Sequence, residues 1–178
     1  MDTKKILALT MIVLALFCCI GAASAGLFDF FGGGEVKNQT YTFQGFTLDI
    51  PETANVTSTN ESKTGVERQS YRIKIANESD SSKTKTVSVV ISQGSRVVSS
   101  IDEYISNWVS EGAKQEGNFG DWTVININGV PIQGFQNLNI TITQTGYVLA
   151  KHTGSKLIIL KGTDLALLKN MASTYKEV

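Results

Sequence analysis

Cysteine and histidine are scarce in this sequence, and their positions exclude several chemistries. The 178 residues include two cysteines, Cys18 and Cys19, and one histidine, His152. Both cysteines lie in an N-terminal apolar segment, and without that segment the chain has no thiol for a disulfide, a metal ion or catalysis. His152 lacks a second histidine or a cysteine with which to complete a zinc set. We therefore expect no metal site and no cofactor, and we interpret His152 as an exposed residue at the end of a strand.

Long hydrophobic runs are absent as well, except near the N-terminus. An apolar run over residues 6–23 follows two lysines and leads into the small residues Ala23-Ser24-Ala25. This pattern predicts a signal peptide over residues 1–25, cleaved between Ala25 and Gly26. Because the length of this run lies at the lower edge of the range that can span a membrane, an uncleaved N-terminal anchor is the alternative. In both cases the following chain is extracytoplasmic, either secreted or anchored to the outer face of the cytoplasmic membrane.

An excess of positive charge is lacking too, which argues against nucleic acid as a partner. The chain carries 16 basic and 16 acidic residues, and removal of residues 1–25 lowers these numbers to 14 and 15. Binding to a phosphate backbone needs a concentrated excess of lysine and arginine. The remaining 153 residues are enough for one domain with a substantial core. We assign that single domain to residues 39–178.

A short apolar and glycine-rich linker, residues 26–38, precedes the domain. It contains Gly32-Gly33-Gly34, which lacks the lysine and hydroxyl residues of a phosphate-binding loop and is typical of a linker. Its large apolar side chains either pack on the domain or lie at a membrane interface. The candidates for that interface are Leu27, Phe28, Phe30 and Phe31.

Short runs in which apolar and polar residues alternate dominate the domain and predict β-strands. We expect strands over residues 41–43, 46–50, 71–75, 87–91, 122–127, 138–143, 147–152 and 157–161. Asn128-Gly129 favours a tight hairpin after one of these runs. The stretch 52–65 is rich in Thr, Ser and Asn without clear periodicity, so we interpret it as an exposed loop.

Two segments predict amphipathic helices. Ser100-Ile101-Asp102-Glu103 matches a capping box, and an apolar stripe follows it until Gly112 or Gly117. That stripe consists of Ile101, Ile105, Trp108 and Val109. Asp164 is expected to cap a second helix that extends to about Lys176. Together with the short connections between strands, these helices predict an α+β domain in which an antiparallel β-sheet has two main helices packed against it.

A family resemblance is carried by residues 41–51, 100–104, 127–131, 147–150 and 157–163. These segments resemble the PsbP-like superfamily, which includes the extrinsic photosystem II protein and many small exported domains. The resemblance covers about Tyr41 to Tyr175 and implies a PsbP-like layered sandwich that serves binding or assembly rather than catalysis. It transfers no site residue, because the sequence matches no catalytic or metal motif of a relative.

Five asparagines lie in Asn-x-Ser/Thr sequons, which are acceptors for N-glycosylation outside the cytoplasm. Asn55, Asn60 and Asn77 fall in predicted loops and are the strongest candidates, whereas Asn139 falls in a predicted strand. The complete set is Asn38, Asn55, Asn60, Asn77 and Asn139.

No catalytic motif stands out, and the sequence predicts that the domain is not an enzyme. It lacks the Gly-x-Ser-x-Gly elbow of serine hydrolases, and Asp49 with Asp121 is a weak candidate for a carboxylate pair. Tyr104 becomes a candidate contact residue if it lies on an exposed flank of its helix.

These observations predict a non-enzymatic extracytoplasmic domain that binds another envelope protein or a surface component. A carrier of a small apolar ligand is one alternative, and it would need a pocket beside Trp108, Trp122 and Tyr147. A carboxylate-dependent hydrolase is a weaker one, and it would need a cleft lined by acidic residues with His152 or a tyrosine.

Overall fold

The structure, a computed structural model, describes residues 37–76, 83–132 and 142–178. Its helices are α1 (Ile101–Ser110) and α2 (Leu165–Ser173). Its strands are β1 (Asn38–Phe43), β2 (Phe46–Pro51), β3 (Ala54–Lys63), β4 (Val66–Ala76), β5 (Thr84–Gln93), β6 (Lys114–Phe119), β7 (Trp122–Asn126), β8 (Tyr147–Thr153), β9 (Lys156–Gly162) and β10 (Lys176–Glu177). Neither described helix is long and apolar enough to cross a lipid bilayer.

The strands form two antiparallel sheets. The large sheet has seven strands in the order β3-β4-β5-β9-β8-β7-β6, and the small sheet has three in the order β1-β2-β10. Two-residue turns connect β1 to β2, β3 to β4 and β8 to β9, as expected for hairpins. The C-terminal strand β10 returns to β2, where Lys176 lies opposite Thr47.

The expected α+β fold, with two main helices packed against one antiparallel sheet, is wrong. Strands account for 57% of the described residues and helices for 15%, and the strands divide between two sheets. The helices are short, with ten and nine residues. The prediction was wrong because many residues of the additional strands are polar. These strands lack the alternation of apolar and polar residues by which half-buried strands are recognised.

Strand β3 is the clearest case, because residues 52–65 were expected to form a loop. Residues Ala54 to Lys63 instead pair continuously with β4, from Ala54 opposite Ile75 to Lys63 opposite Val66. This strand lies at the edge of the large sheet and is exposed along most of its length. It therefore needs little apolar surface, while its threonines and valine are residues that favour extended backbone.

Two hydrophobic cores lie on opposite faces of the large sheet. Successive residues of a strand point to opposite faces, and on β8 Leu149 belongs to one core while Val148 belongs to the other. The larger core joins the large sheet to the small sheet and α2, with fully buried side chains such as Phe46, Leu48, Ile73, Leu160 and Leu168. The smaller core lies under α1 and contains Ile105, Ala113, Ile125, Ile127, Val130, Val148 and Ala150.

Helix α1 begins with the predicted cap. The Ser100 hydroxyl oxygen accepts from the Glu103 amide at 3.2 Å, which confirms Ser100 as the N-cap. The Glu103 carboxylate accepts from the amide of Ser99 at 2.9 Å, one residue before the expected partner. The helix ends at Ser110 and the chain then turns at Gly112, where φ is +100°. Val109 is 48% exposed, so it is not part of the buried stripe.

The Asn128-Gly129 turn forms, but it does not open the expected strand pair. The Val130 amide donates to the Ile127 carbonyl at 3.2 Å across the turn. Where the returning chain is described, Pro131 forms an isolated bridge with Thr143, and β7 pairs instead with β6 and β8. Strand β6 was not predicted because its residues are nearly all exposed. The expected strand 138–143 lies mostly outside the described residues.

Helix α2 is capped as predicted, although it is shorter than expected and ends at Ser173. The Asp164 carboxylate accepts from the Leu167 amide at 3.0 Å and also pairs with the Lys85 ammonium. Burial disfavours the charged form of Asp164, but the hydrogen bonds from Lys85 and Leu167 outweigh it and hold the pKa of this carboxyl below its ordinary value. The cap thus ties α2 to β5.

Replacing Asp164 with alanine is expected to lower the free energy of unfolding by about 1 kcal/mol, because an N-cap and its ion pair are lost. Asp164→Asn should keep most of the cap and lose only the charge. A depressed pKa contributes stability that is present above the unfolded-state value of about 4 and is lost as the pH falls through the folded-state value. Urea unfolding of wild type and Asp164→Asn should therefore converge below pH 4, and a difference that grows on acidification would contradict this assignment.

Candidate functional site: an open face of the large sheet

Helix α1 covers only part of its side of the large sheet. It packs on β6 and β8, with Ile105 over the smaller core. On the same side of the sheet, Thr57, Thr59 and Arg72 of strands β3 and β4 are exposed, so none of the described elements covers them. We call this surface the open face, defined by Thr57, Thr59, Ser70, Arg72, Ser88 and Val90.

The open face forms a shallow groove of about 320 Å³, lined by these six side chains and by Tyr71, whose ring lies in the larger core. The strand register arranges the six in two rows. In one row Arg72 lies between Thr57 and Ser88. In the next, Ser70 lies between Thr59 and Val90, and the groove is thus lined by four hydroxyl side chains and one arginine.

The sequences of β4 and β5 produce this surface through their alternation. Tyr71, Ile73 and Ile75 of β4 point into the larger core, so the residues between them point to the other side. The same holds for β5, where Val87, Val89 and Ile91 are buried in that core. The alternation of apolar and polar residues in β4 and β5 therefore places their polar side chains together on the open face.

Cations predominate on and beside the open face. Arg68, Arg72 and Lys74 are exposed residues on the same side of β4, and none of them forms an ion pair among the described residues. Glu61 lies opposite Arg68 in the register and is the acidic residue of β3 on this side. Lys161 of β9 lies opposite Ser88 and extends the basic surface towards α1.

Lys161 is held at the boundary between the open face and α1. Its ammonium group donates to the Gln144 side-chain oxygen at 2.5 Å and lies 5.8 Å from the centre of the Trp108 ring. Burial lowers the pKa of Lys161 because it disfavours the charged form. This lysine is therefore a positioned, partly desolvated charge rather than a freely moving surface group.

Two aromatic residues of α1 form a rim on the α1 side of the open face. The rings of Tyr104 and Trp108 meet edge to face, with their centres 6.4 Å apart. Burial raises the pKa of Tyr104 to about 12, against the opposing effects of Trp108 and of the charge of Arg68. Tyr104 was a candidate contact residue in the sequence, and the structure places it half-buried beside this basic surface.

His152 is half-buried on β8 and not exposed as expected. Its Nε2 lies 3.1 Å from the carbonyl oxygen of Val98, so the ring holds the segment that leads into α1. Within the described ranges, no three His, Cys, Asp or Glu side chains come close enough together to bind a metal ion. The geometry therefore gives His152 a positional contact with the Val98 carbonyl oxygen.

The two candidate carboxylates belong to separate local networks. Asp49 of β2 accepts from the Thr40 hydroxyl at 2.7 Å, and its backbone amide donates to Thr174. Asp121, in the turn between β6 and β7, pairs with Lys151 at 3.3 Å. Neither contact joins the two acids, and neither carboxylate lines the open face.

The three aromatic residues expected around an apolar carrier pocket do not converge. Trp122 and Tyr147 contribute to the larger core, whereas Trp108 packs against the smaller core on the opposite face of the large sheet. Trp122 is buried, and its ring meets Tyr175 at 5.6 Å. The sheet itself therefore separates the residues that would have to line one pocket.

A second groove, of about 270 Å³, lies beside the C-terminus and was not anticipated from the sequence. The hydroxyl groups of Thr153 and Tyr175 both donate to the Glu177 carboxylate, at 2.9 and 3.1 Å. Burial and the contact with Glu177 raise the pKa of Tyr175 to about 12. These polar groups bind one another, whereas the arginine of the open face has no such partner among the described residues.

The remaining predicted sites are distributed over several parts of the chain. Asn38 begins β1, and Asn55 and Asn60 lie on the edge strand β3 rather than in a loop; all three are exposed. Other predicted positions lie outside the described residues, namely Ala25, Gly26, Leu27, Phe28, Phe30, Phe31, Asn77 and Asn139.

Comparisons of the chain with family models, with curated proteins and with solved structures found no significant match.

Proposed function

We propose that this protein is a non-enzymatic extracytoplasmic binding domain that holds an envelope protein or surface component on its open face. The observation that carries the proposal is the exposed residue Arg72, which shares the groove with four hydroxyl side chains and has no carboxylate partner among the described residues. A guanidinium group presents several donors in a fixed plane and is suited to binding an external acceptor.

The strands that carry the open face are firmly held, which favours a surface that binds its partner without rearranging. Its side chains stand on three adjacent strands, and regular pairing joins β3 to β4 and β4 to β5 over the whole groove. Directly beneath it, Ile73 and Val89 fill the larger core. Binding groups placed on such rigid elements lose little conformational entropy when a partner docks.

The sequence supports the extracytoplasmic location through the signal-like residues 1–25. The PsbP-like resemblance supports a binding role and is itself a proposal. A role without catalysis agrees with the contacts of His152, Asp49 and Asp121, each of which has a separate partner.

Arg72→Glu is expected to weaken binding of the purified protein to the envelope fraction of its own cells by about tenfold or more, since a charge-assisted contact is replaced by repulsion. The matched control is Lys114→Glu, which changes the net charge equally on the opposite edge strand, β6. Cosedimentation at increasing protein concentration measures both affinities. Equal weakening by the two variants would indicate nonspecific electrostatics, and unchanged binding by Arg72→Glu would remove the open face from the proposal.

A further inference from the structure

We propose that the open face binds an acidic saccharide chain, that is, a carbohydrate polymer bearing carboxylate or sulfate groups. This inference rests on the proposed function, because it uses the same surface and specifies the chemistry of the ligand. Three features of the described residues carry it: the spacing of the cations, the arrangement of hydroxyls and the small amount of apolar surface.

The cations are spaced along one strand and therefore suit a chain with repeated acid groups. Arg68, Arg72 and Lys74 lie on the same side of β4, where residues two apart are separated by roughly 7 Å and residues four apart by roughly 13 Å. A single small anion could contact only one of these groups, whereas a polymer with regularly placed acids can contact several. Arg72 can also bind a carboxylate or a sulfate through two parallel hydrogen bonds.

The hydroxyls around Arg72 match the polar surface of a sugar. Thr57, Thr59, Ser70 and Ser88 line the groove, and each hydroxyl can both donate and accept a hydrogen bond. Each of the two rows crosses neighbouring strands, so adjacent side chains within a row are roughly 5 Å apart. Sugar hydroxyls can likewise both donate and accept. In each contact, either the protein or the sugar can therefore be the hydrogen-bond donor.

The apolar content of the groove argues against an acidic peptide as the main ligand. Val90 is the apolar side chain among those that define the open face, and it is half-buried. Protein partners usually derive much of their binding energy from large side chains inserted into desolvated pockets. The groove is shallow, and its volume of about 320 Å³ is at the small end of the range for ligand sites. It therefore suits a short stretch of a polymer that continues beyond it.

The rim formed by Tyr104 and Trp108 marks one end of the proposed binding path. The Tyr104 hydroxyl is neutral at ordinary pH, as for any tyrosine, so it adds no negative charge that would repel an acidic ligand. Lys161 lies beside Trp108 and supplies a further cation at this end. The path consequently follows the cations of β4 from Lys74 through Arg72 to Arg68, whose charge acts on Tyr104, and Lys161 lies on its α1 side.

The test measures binding of the exported protein to three defined probes by titration calorimetry. The probes are a galacturonic acid octasaccharide, a neutral maltooctaose and an octapeptide of glutamate. We expect the acidic saccharide to bind, the neutral one to bind at least tenfold more weakly, and the peptide to bind more weakly than the acidic saccharide. Arg72→Glu should weaken binding of the acidic saccharide about tenfold, and Lys114→Glu should leave it unchanged. Arg72→Lys, which keeps the charge without the planar fork, should give an intermediate affinity.

The outcomes separate this inference from the proposed function. Stronger binding of the glutamate peptide, with loss in Arg72→Glu, would overturn the saccharide and retain the open face. Absence of binding to the acidic saccharide would also overturn the ligand class, while the envelope experiment decides independently whether the surface binds anything. Binding of the saccharide that is insensitive to Arg72→Glu would overturn its placement on the open face. Circular dichroism melting of each variant verifies that a lost interaction does not reflect unfolding.

Discussion

Replacing Phe46 with alanine is expected to lower the free energy of unfolding by about 3–5 kcal/mol, as for other buried aromatic residues. Phe46 is 1% exposed and lies where the small sheet meets the larger core. Its ring stacks on Phe43 at 5.2 Å and contacts Tyr175 at 5.2 Å. Removing it therefore leaves a cavity that also loosens the C-terminal segment from β2.

Urea unfolding monitored by circular dichroism measures this effect, with Phe119→Ala as the matched control. Phe119 is half-buried at the end of β6 and packs at the margin of the same core, so its truncation should cost less than half as much. If Phe46→Ala does not fold, Phe46→Leu gives a measurable smaller loss. Equal losses for Phe46→Ala and Phe119→Ala would contradict the packing of the small sheet against the large one.

The second large effect is expected at Gly146, whose replacement by alanine should cost about 3–5 kcal/mol through backbone strain and a steric clash. Its φ is +118°, and an added Cβ would come within 2.3 Å of the Gly162 carbonyl oxygen. The Gly146 amide also donates to the Asn128 side chain at 2.9 Å, which fixes the entry into β8. The chain cannot move away without breaking that bond or the pairing of β8 with β9.

Gly154→Ala is the control, because this glycine also has a positive φ, +56°, but its added Cβ would meet nothing within 4 Å. It should cost only about 1 kcal/mol, the ordinary penalty of a left-handed conformation for alanine. Thermal and urea unfolding of both variants distinguish the clash from the strain. A Gly146→Ala protein as stable as Gly154→Ala would show that Gly146 and Gly162 do not approach each other closely.

Much of the local structure could be predicted from the sequence, because buried strands and capped helices have recognisable patterns. The alternating runs at Tyr71–Ile75 and Val87–Ile91 became parts of β4 and β5, and Ser100 and Asp164 cap their helices as predicted. The edge strands β3 and β6 were missed, since exposed strands need no apolar face. The division into two sheets was missed because β10 pairs with β2 across more than a hundred residues, and no local pattern reports such a contact.

For a related reason, only part of the candidate site could be predicted from the sequence. The alternation in β4 predicts that Arg72 points away from the core, but it does not tell whether a helix or another strand covers that side. Tyr104 was a candidate contact residue only if it lay on an exposed flank of α1, whereas the structure shows it half-buried beside the basic surface. Arg72 was not a candidate, because its neighbour in the groove, Thr57, lies in the stretch 52–65, which was expected to form a loop rather than a strand beside β4.

The most direct test of the central claim is site-specific photo-crosslinking in the native cell envelope. A photoreactive phenylalanine analogue in place of Thr57 reports on the open face, and the same analogue in place of Lys114 reports on the opposite edge of the large sheet; both positions are exposed. The account predicts a crosslinked envelope component from position 57, lost when Arg72→Glu is added, and none from position 114. Crosslinking from position 114 alone, or crosslinking at position 57 that is indifferent to Arg72→Glu, would contradict it.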